Sequence, residues 1–385
     1  MKKKVLIVCT TASMVGNFNI PNIRLLKRMG YDVEVACNFK DVSSWSLNDS
    51  NKLKKLLEAL NVKCFQIDFV RSPFKILSNC KAYKELNKII MQRDYNFIHC
   101  HTPIAGALTR LSAKRNGVKV IYTAHGFHFF KGGPLKNWII YYPIEKWLSS
   151  YTDILITINN EDYLLAKDKM NSNQVFKING AGVDINRFRK KMNYRKEIRE
   201  KLNISDNQIV LLSVGELNRN KNHKTIIEAL GSINNRDLVY VIAGVGSEKA
   251  NLISLSKKNG IEKSLKLIGY VDKVEQIYSA ADIFVFPSKR EGLSFAGIEA
   301  MSAGLPIVGS NIRGVKDYIL EGRSGFLLKP NDYKGFADKI LFLARHNTIR
   351  KKMGAFNEKI ANQYDISNVN KKMFEIYMKM ADCKK

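Results

Sequence analysis

The run Ile283-Phe284-Val285-Phe286-Pro287-Ser288-Lys289-Arg290-Glu291-Gly292-Leu293-Ser294-Phe295-Ala296-Gly297-Ile298-Glu299-Ala300-Met301 packs four signals into one short stretch. Ile283 to Phe286 is β-branched and aromatic, the composition of a buried parallel strand. Pro287 ends it. Gly292 permits a turn, and Ser294 stands where a residue caps a helix that runs to Met301, with Gly304 and Pro306 as stop signals. A strand end followed by a helix start directs free N–H groups into the crevice above a sheet edge, where phosphate is well received. Glu291 falls in the turn and Glu299 just over one helical turn into the helix. Together they suit an anionic ligand that also carries hydroxyls.

The same strand-and-helix rhythm extends outward in both directions. Toward the N-terminus, Val5–Val8, Asp32–Ala36, Cys64–Phe69, Phe97–Cys100 and Val118–Thr123 read as strands. Helical patterns alternate with them at 22–29, 51–60, 81–91 and 106–114. The rhythm restarts at 209–214 and continues through a helix at 224–230, a strand at 238–243, a helix at 249–258, a strand at 265–268 and a helix at 274–280. Two doubly wound parallel sheets are the expectation, and 385 residues exceed what one core usually serves. Residues 189–205, highly charged and without strand character, read as a linker. The expected domains are therefore 1–188 and 206–364. The closing stretch 365–385 is a helix with Met373, Ile376, Tyr377 and Met380 on one face.

Composition narrows the function classes. The formal net charge is +28, with 30 Lys and Arg against 14 Asp and Glu in residues 1–190 and 33 against 21 in the rest. Positive charge spread over both halves favours anionic partners: nucleotides, lipid head groups or nucleic acid. Nucleic acid is set aside because zinc-finger spacing, an RNP-type strand and a basic zipper are all missing. Cys9, Cys37, Cys64, Cys80, Cys100 and Cys383 are scattered without a Cys-x2-Cys pair, which supports neither a disulfide framework nor zinc. No apolar run approaches the ~20 residues that span a bilayer. Lys2-Lys3-Lys4 precedes an apolar run too short for a signal peptide, so the expected location is the cytosol, including the inner face of the membrane.

The Glu291 to Glu299 stretch, with its Phe-Pro-Ser strand end and the Ala300-Met301-Ser302-Ala303-Gly304-Leu305-Pro306 that follows, resembles the Glu-x7-Glu signature of retaining glycosyltransferases of family 4. That resemblance covers nearly the whole chain and is most specific over 210–330. It implies the GT-B fold, an α/β architecture in which two Rossmann-like domains face one another across a cleft and the C-terminal helix crosses back to the first. The implied reaction moves a sugar from a nucleoside-diphosphate sugar, expected to be a UDP-sugar, to a saccharide or polyprenyl-diphosphate-linked saccharide of capsule or exopolysaccharide synthesis. Neither cofactor nor metal is implied, and no Asp-x-Asp motif is present.

The residue roles follow position by position. Gly215 opens a phosphate-type loop after a strand, and Lys221 matches the family lysine that would meet the diphosphate. Glu216 stands where the family has arginine, with Arg219 as the nearest substitute cation. Gly244 lets a loop pass close to the nucleotide. The third glycine of a dinucleotide fingerprint is replaced by Lys249, which argues against a redox cofactor. Tyr270 falls in the segment that frames the base. Gly292, Leu293, Ser294 and Phe295 supply the helix start, Glu291 takes donor-sugar hydroxyls and Glu299 the ribose. His125, after a strand of the first half, matches the family histidine that contacts the donor sugar.

Several readings stay open at this stage. His99 and His101 read as strand-end polar groups facing the cleft. Thr10 to Asn19 reads as a loop on the acceptor side, with Gly16 and Asn17 its candidates. Residues 127–148 interleave Phe127, Phe129, Phe130, Trp138, Tyr141, Tyr142 and Trp147 with Lys131, Lys136 and Lys146. That mixture suits an anionic membrane surface and a buried helix equally. A nucleotide-sugar epimerase on the same fold and a non-catalytic basic protein that binds lipid or nucleic acid are the alternative functions.

Overall fold

Among the described residues, thirteen short β-branched and aromatic segments form two parallel sheets. A computed structural model describes residues 3–43, 45–189, 192–233 and 235–382. The first sheet contains β1 (Lys4–Thr11), β2 (Asp32–Asn38), β3 (Lys63–Gln66), β4 (Phe97–His101), β5 (Lys119–Ala124), β6 (Ile154–Thr157) and β7 (Gln174–Lys177), in the order β3-β2-β1-β4-β5-β6-β7. The second contains β8 (Ile209–Val214), β9 (Leu238–Ala243), β10 (Leu265–Gly269), β11 (Ile283–Phe286), β12 (Ile307–Ser310) and β13 (Gly325–Leu328), in the order β10-β9-β8-β11-β12-β13. Every ladder is parallel. Both sheets are doubly wound, and each reverses its strand order once, beside its first strand.

Helices cover both faces of each sheet, which is why the central strands read as unbroken apolar runs. In β8, Val210 and Leu212 join the core on one face and Leu211 the core on the other, as the two-residue side-chain period requires. In the first sheet, Leu6, Val8, Ile98, Cys100, Val120 and Tyr122 share a core with the helix Ile76–Met91 through Ala82, Leu86 and Ile90.

The chain divides into one unit running to Ala181 and resuming at Val369, and a second unit from Gly182 to Asn368. The helix Ile366–Asp382 buries Val369, Met373, Ile376, Tyr377 and Met380, and Tyr377 packs on Phe97 of β4 with ring centroids 5.8 Å apart. The terminal helix thus completes the first unit.

The segment 189–205 is not a linker among its described residues. Met192–Lys201 is a helix of the second unit that buries Ile198. Its high charge is misleading because the arginines face inward. Arg199 is 1% exposed and donates to the carbonyls of Ala280 (3.2 Å) and Ser205 (2.7 Å) and to Asp282 Oδ2 (3.3 Å). Arg195 donates to the carbonyls of Ser279, Ala280 and Ala281. These carbonyls end the helix Val274–Ala280, so cations there satisfy orphan acceptors. Lys190, Lys191 and Cys383 lie outside the described residues.

The aromatic stretch packs as a helix with one face buried and the other exposed. Phe127 and Phe129 are buried, stacked 4.9 Å apart, and Trp138 and Tyr142 pack against Phe129. The helix Leu135–Ser149 turns these aromatics inward. Leu135, Ile139, Ile140, Ile144 and Trp147 remain exposed on its other side. Its position is fixed by Glu145, which accepts from Nη1 and Nη2 of the fully buried Arg110 at 2.6 and 3.3 Å. The Arg110 guanidinium also lies 4.1 Å from the Tyr122 ring, so the buried charge is compensated on two sides.

Candidate active site

In the second unit, sheet order reverses between β8 and β11, and the loops leaving these strands define a crevice at their carboxyl ends. The loop after β8 begins at Gly215, whose N–H bonds the Ala243 carbonyl at 3.0 Å. A Cβ on Gly215 would stand 3.1 Å from Cε of Lys221, and one on Gly244 would stand 1.9 Å from the Gly215 carbonyl oxygen. The two glycines allow the β8 and β9 loops to touch while the lysine stem passes beneath.

Lys221 Nζ lies 2.8 Å from Glu291 Oε1, and both side chains are largely withdrawn from water. The ammonium also sits 4.9 Å from the Phe286 ring. Asparagines set this geometry. Asn218 Oδ1 accepts from the N–H groups of Asn220 and Lys221. The Asn220 carbonyl accepts from the Lys289 N–H at 2.8 Å, and its side chain donates to the Arg290 carbonyl at 2.9 Å. Asn222, with φ at 56°, is buried and donates to the carbonyls of Pro287 (3.1 Å) and Pro330 (2.7 Å). The loop carrying the lysine is thereby clamped to the loop carrying the glutamate. Sequence reading missed this clamp. Its signal was the alternation Asn218-Arg-Asn220-Lys-Asn222, since asparagine both mimics a backbone turn and tolerates positive φ.

The helix after Glu291 runs Phe295–Ser302. Ser294 occupies the cap position with extended backbone, but its hydroxyl makes no capping bond, which corrects the expected cap. Leu293 and Phe295 pack partly into the core, holding the helix start in place. Gly297 is required by space: a Cβ there would stand 2.2 Å from the Tyr318 hydroxyl. Glu299 points back toward Tyr278, whose hydroxyl lies 2.9 Å from Oε2 and 3.0 Å from the Ala296 carbonyl. Burial lifts the Glu299 carboxyl to about 7, opposed by the Tyr278 bond and the Arg187 charge.

The remaining predicted residues of this unit separate. Gly244 and Gly269 are joined by an N–H to carbonyl bond of 2.7 Å, which brings the base-framing segment beside the other loops. Tyr270 follows directly and is 76% exposed, so it is not a packing residue. Arg219 turns away. It is 91% exposed with Nε 3.5 Å from Glu248 Oε1, which gives it no place beside Lys221 and Glu291. Glu216 is exposed.

In the first unit, His125 follows β5 and packs edge-on against Phe18, with centroids 5.1 Å apart. Its Nε2 lies 3.1 Å from Nδ1 of His101, and His101 Nε2 is buried without a partner. An unpartnered lone pair is tolerated far better than an unpartnered N–H. The proton of His101 is therefore assigned to Nδ1, donating to His125, and that of His125 to its own Nδ1. Burial pushes His125 down to about 4 and His101 well below its ordinary value, so both are neutral near pH 7.

His99 and His101, expected as strand-end polar groups facing the cleft, are packed inside the first unit. Both are buried, and His99 bonds the hydroxyls of Tyr377 (2.9 Å) and Thr123 (2.8 Å). The expected loop 10–19 is also corrected. Strand β1 continues to Thr11 and Ala12–Phe18 is a helix, with Gly16 under Trp45, where a Cβ would meet the ring, and Asn17 exposed. Thr102, at φ 67° and ψ 149°, is strained, and its hydroxyl bonds Thr10 Oγ1 at 2.6 Å across the first sheet's reversal point.

Residues 194–360 match the family described as Glycosyl transferases group 1, and residues 4–159 that described as Glycosyl transferase 4-like. A Bacillus subtilis protein carried under the glycosyltransferase name EpsD is 36% identical over 99% of this chain and 98% of its own. The chain belongs to the family 4-like glycosyltransferases. A second relative of this glycosyltransferase is the UDP-Gal:α-D-GlcNAc-diphosphoundecaprenol α-1,3-galactosyltransferase of Escherichia coli, 27% identical over 96% of this chain and 94% of that protein. The solved structure of Anabaena HepE in complex with UDP aligns with a TM-score of 0.79 at 18% identity, covering 98% of this chain and 100% of that one. The fold of this glycosyltransferase is GT-B.

The Glu299 geometry yields a direct test. Tyr278→Phe removes the bond that favours the carboxylate, so the Glu299 midpoint is expected to rise above its value of about 7. Carboxyl-carbon NMR titration of the two proteins reads it; an unchanged or lower midpoint would refute the role given to the Tyr278 bond.

Proposed function

We propose that this glycosyltransferase transfers a sugar from a UDP-sugar, with retention at the anomeric carbon, to a lipid-diphosphate-linked saccharide in capsule or exopolysaccharide synthesis. The observation that carries the reading is the Lys221–Glu291 pair at the strand-order reversal, with Glu299 one helical turn behind it. The Escherichia coli relative, named as moving galactose from UDP-Gal to a GlcNAc-diphosphoundecaprenol, supports the choice of donor and acceptor.

In this reading Lys221 and the N–H groups at the start of the Phe295–Ser302 helix receive the donor diphosphate, and Glu291 takes sugar hydroxyls. Glu299 accepts the ribose hydroxyls, and the exposed Tyr270 offers its ring to the base. His125, neutral and protonated at Nδ1, suits a hydroxyl contact to the sugar. The acceptor hydroxyl attacks the anomeric carbon as the bond to the diphosphate oxygen breaks, and its proton passes to that departing oxygen. Attack and departure on one face preserve configuration without a covalent enzyme intermediate. The charges needed to stabilise the leaving group come from side chains and backbone, with no metal called for.

A donor panel assayed for nucleoside-diphosphate release, with membrane extract as acceptor, tests the proposal. Release should require acceptor, persist in EDTA, and fall about a hundredfold or more in Glu291→Ala while a melting curve shows the variant still folded at the assay temperature. Free epimer formed without acceptor, or a strict divalent requirement, would overturn it.

Lys221→Ala should cost about two to three orders of magnitude in turnover, since a charge-assisted bond to the leaving group is lost. Arg219→Ala, breaking one exposed ion pair, should cost less than about fivefold. Glu299→Ala should act chiefly on donor affinity. Steady-state kinetics with calorimetric UDP binding separate the three; equal effects of Lys221 and Arg219 would place the leaving-group cation elsewhere.

The exposed aliphatic side of the helix Leu135–Ser149, bordered by Lys136 and Lys146, is the proposed contact with anionic bilayers at the inner membrane face. No helix among the described residues is long and apolar enough to cross a membrane. Co-sedimentation should favour anionic over neutral vesicles at low salt and weaken as salt rises, with Ile139→Glu/Ile144→Glu reducing both. Equal recovery on the two vesicle types would remove the electrostatic component.

A further inference from the structure

The helix Ile76–Met91 buries Ala82, Leu86 and Ile90 and turns a second face outward. That face, together with the adjacent helix Pro103–Asn116, encloses a groove of about 730 Å³. Its apolar walls are Ile76, Tyr83, Met91, Leu108 and Leu111. Positions 76, 79, 80, 83, 87 and 91 recur at helical spacing, so the groove follows the helix axis for about 22 Å. Its floor is pinned: Asn87 Oδ1 accepts from both Ser112 Oγ and Asn116 Nδ2, each at 2.9 Å. The two helices are held at a set separation before anything binds.

Charge around the groove has one sign. Lys84, Lys88 and Arg115 line it, and among the described residues none of those lining it is acidic. Beside the Ile76 end, Phe74 and Leu77 stand 78% and 87% exposed, flanked by Arg71 and Lys75. Apolar side chains this exposed next to cations suit the boundary between lipid head groups and hydrocarbon. The volume is that of a single small-molecule site and not of a protein interface. One narrow channel takes one chain, whereas a phospholipid brings two.

We propose that this groove seats the first part of the polyprenyl chain of a lipid-diphosphate-linked oligosaccharide acceptor, with Lys84, Lys88 and Arg115 meeting the diphosphate and the saccharide spanning the roughly 18 Å from Arg115 back to the strand carboxyl ends. The identity of the occupant rests on the acceptor class proposed above. The helix Leu135–Ser149 flanks Pro103–Asn116 on its other side, so membrane contact and chain capture would share one helical layer of the first unit.

Cys80 lines the groove and is exposed, which makes its thiol a reporter. Iodoacetamide labelling of the full chain, read by mass spectrometry of the peptide containing Cys80, would be run with farnesyl diphosphate, farnesol, inorganic diphosphate or dihexanoyl phosphatidylglycerol. Farnesyl diphosphate below its micelle concentration should slow labelling about tenfold at ten times its Kd. Farnesol should protect less, and the other two not at all. Leu111→Glu should abolish protection, and Lys84→Glu/Lys88→Glu, on exposed positions that tolerate substitution, should reduce it to the level of farnesol. Unslowed labelling, protection by inorganic diphosphate, equal protection by the phospholipid, or full protection in both variants would each overturn the proposal. Binding is read without turnover, so a chain that failed to transfer sugar would still report on the groove.

Discussion

A carboxylate and an ammonium 2.8 Å apart, both mostly out of water, organise the second unit's functional edge. Such a pair is stable only where desolvation is offset by geometry held in advance. Here the asparagine clamp supplies that geometry: Asn218, Asn220 and Asn222 close the β8 loop and bind it to carbonyls after β11. Neither charge has to search for its partner, and in the proposed reaction a phosphate arriving at Lys221 would meet an ammonium already positioned. Oriented charge of this kind stabilises a leaving group without a reorganisation cost during the reaction. The glycines at 215, 244 and 297 serve the same end, because each removes a side chain that would push one loop or helix off another.

The first unit repeats the topology and changes the chemistry. Its sheet also reverses beside its first strand, and Thr10 and Thr102 bond across that reversal. The side chains gathered at the neighbouring strand ends are imidazoles instead of ions. Burial holds His99 down to about 3 and His125 to about 4, which makes them neutral donors and acceptors near pH 7. Neutral rings with a fixed tautomer suit hydroxyls, whereas the Lys221–Glu291 pair suits a phosphate with sugar hydroxyls beside it. One fold thus yields two environments, and the difference lies in whether the residues at the strand ends keep their charge.

The parts of the molecule governed by local pattern were legible in sequence. β8, β9 and β11, and the helices Lys249–Lys258 and Val274–Ala280, have the boundaries their periodicity indicates, since buried parallel strands and amphipathic helices advertise themselves within a few residues. Glu291 in the turn and Glu299 in the helix followed from the same local signals. What escaped was long-range. Arg195 and Arg199 look like solvated linker charge until the helix end at Ala280 is beside them. His99 looks like an open strand-end polar group until Tyr377, far along the chain, covers it. Local pattern alone does not separate Arg219 from Lys221, which only the family resemblance ranked, and the three-dimensional path sends one to Glu291 and the other to solvent.

The stretch 127–148 shows why composition alone could not settle direction. Its helix carries apolar residues on two faces, so periodicity names both without saying which is inside. Phe127, Phe129, Trp138 and Tyr142, able to interlock edge to face, fill the core around Phe129, and Leu135, Ile139, Ile140, Ile144 and Trp147 are left outward. Arg110 and Glu145 then decide the rotation: a charge pair buried beneath the helix permits only the orientation in which Glu145 points in. Because the pair must remain together to be tolerated, the exposed face of Leu135, Ile139 and Ile144 is as firmly specified as the core. An apolar surface displayed by so costly a device is a feature of the fold and not a by-product of its lysine-rich composition.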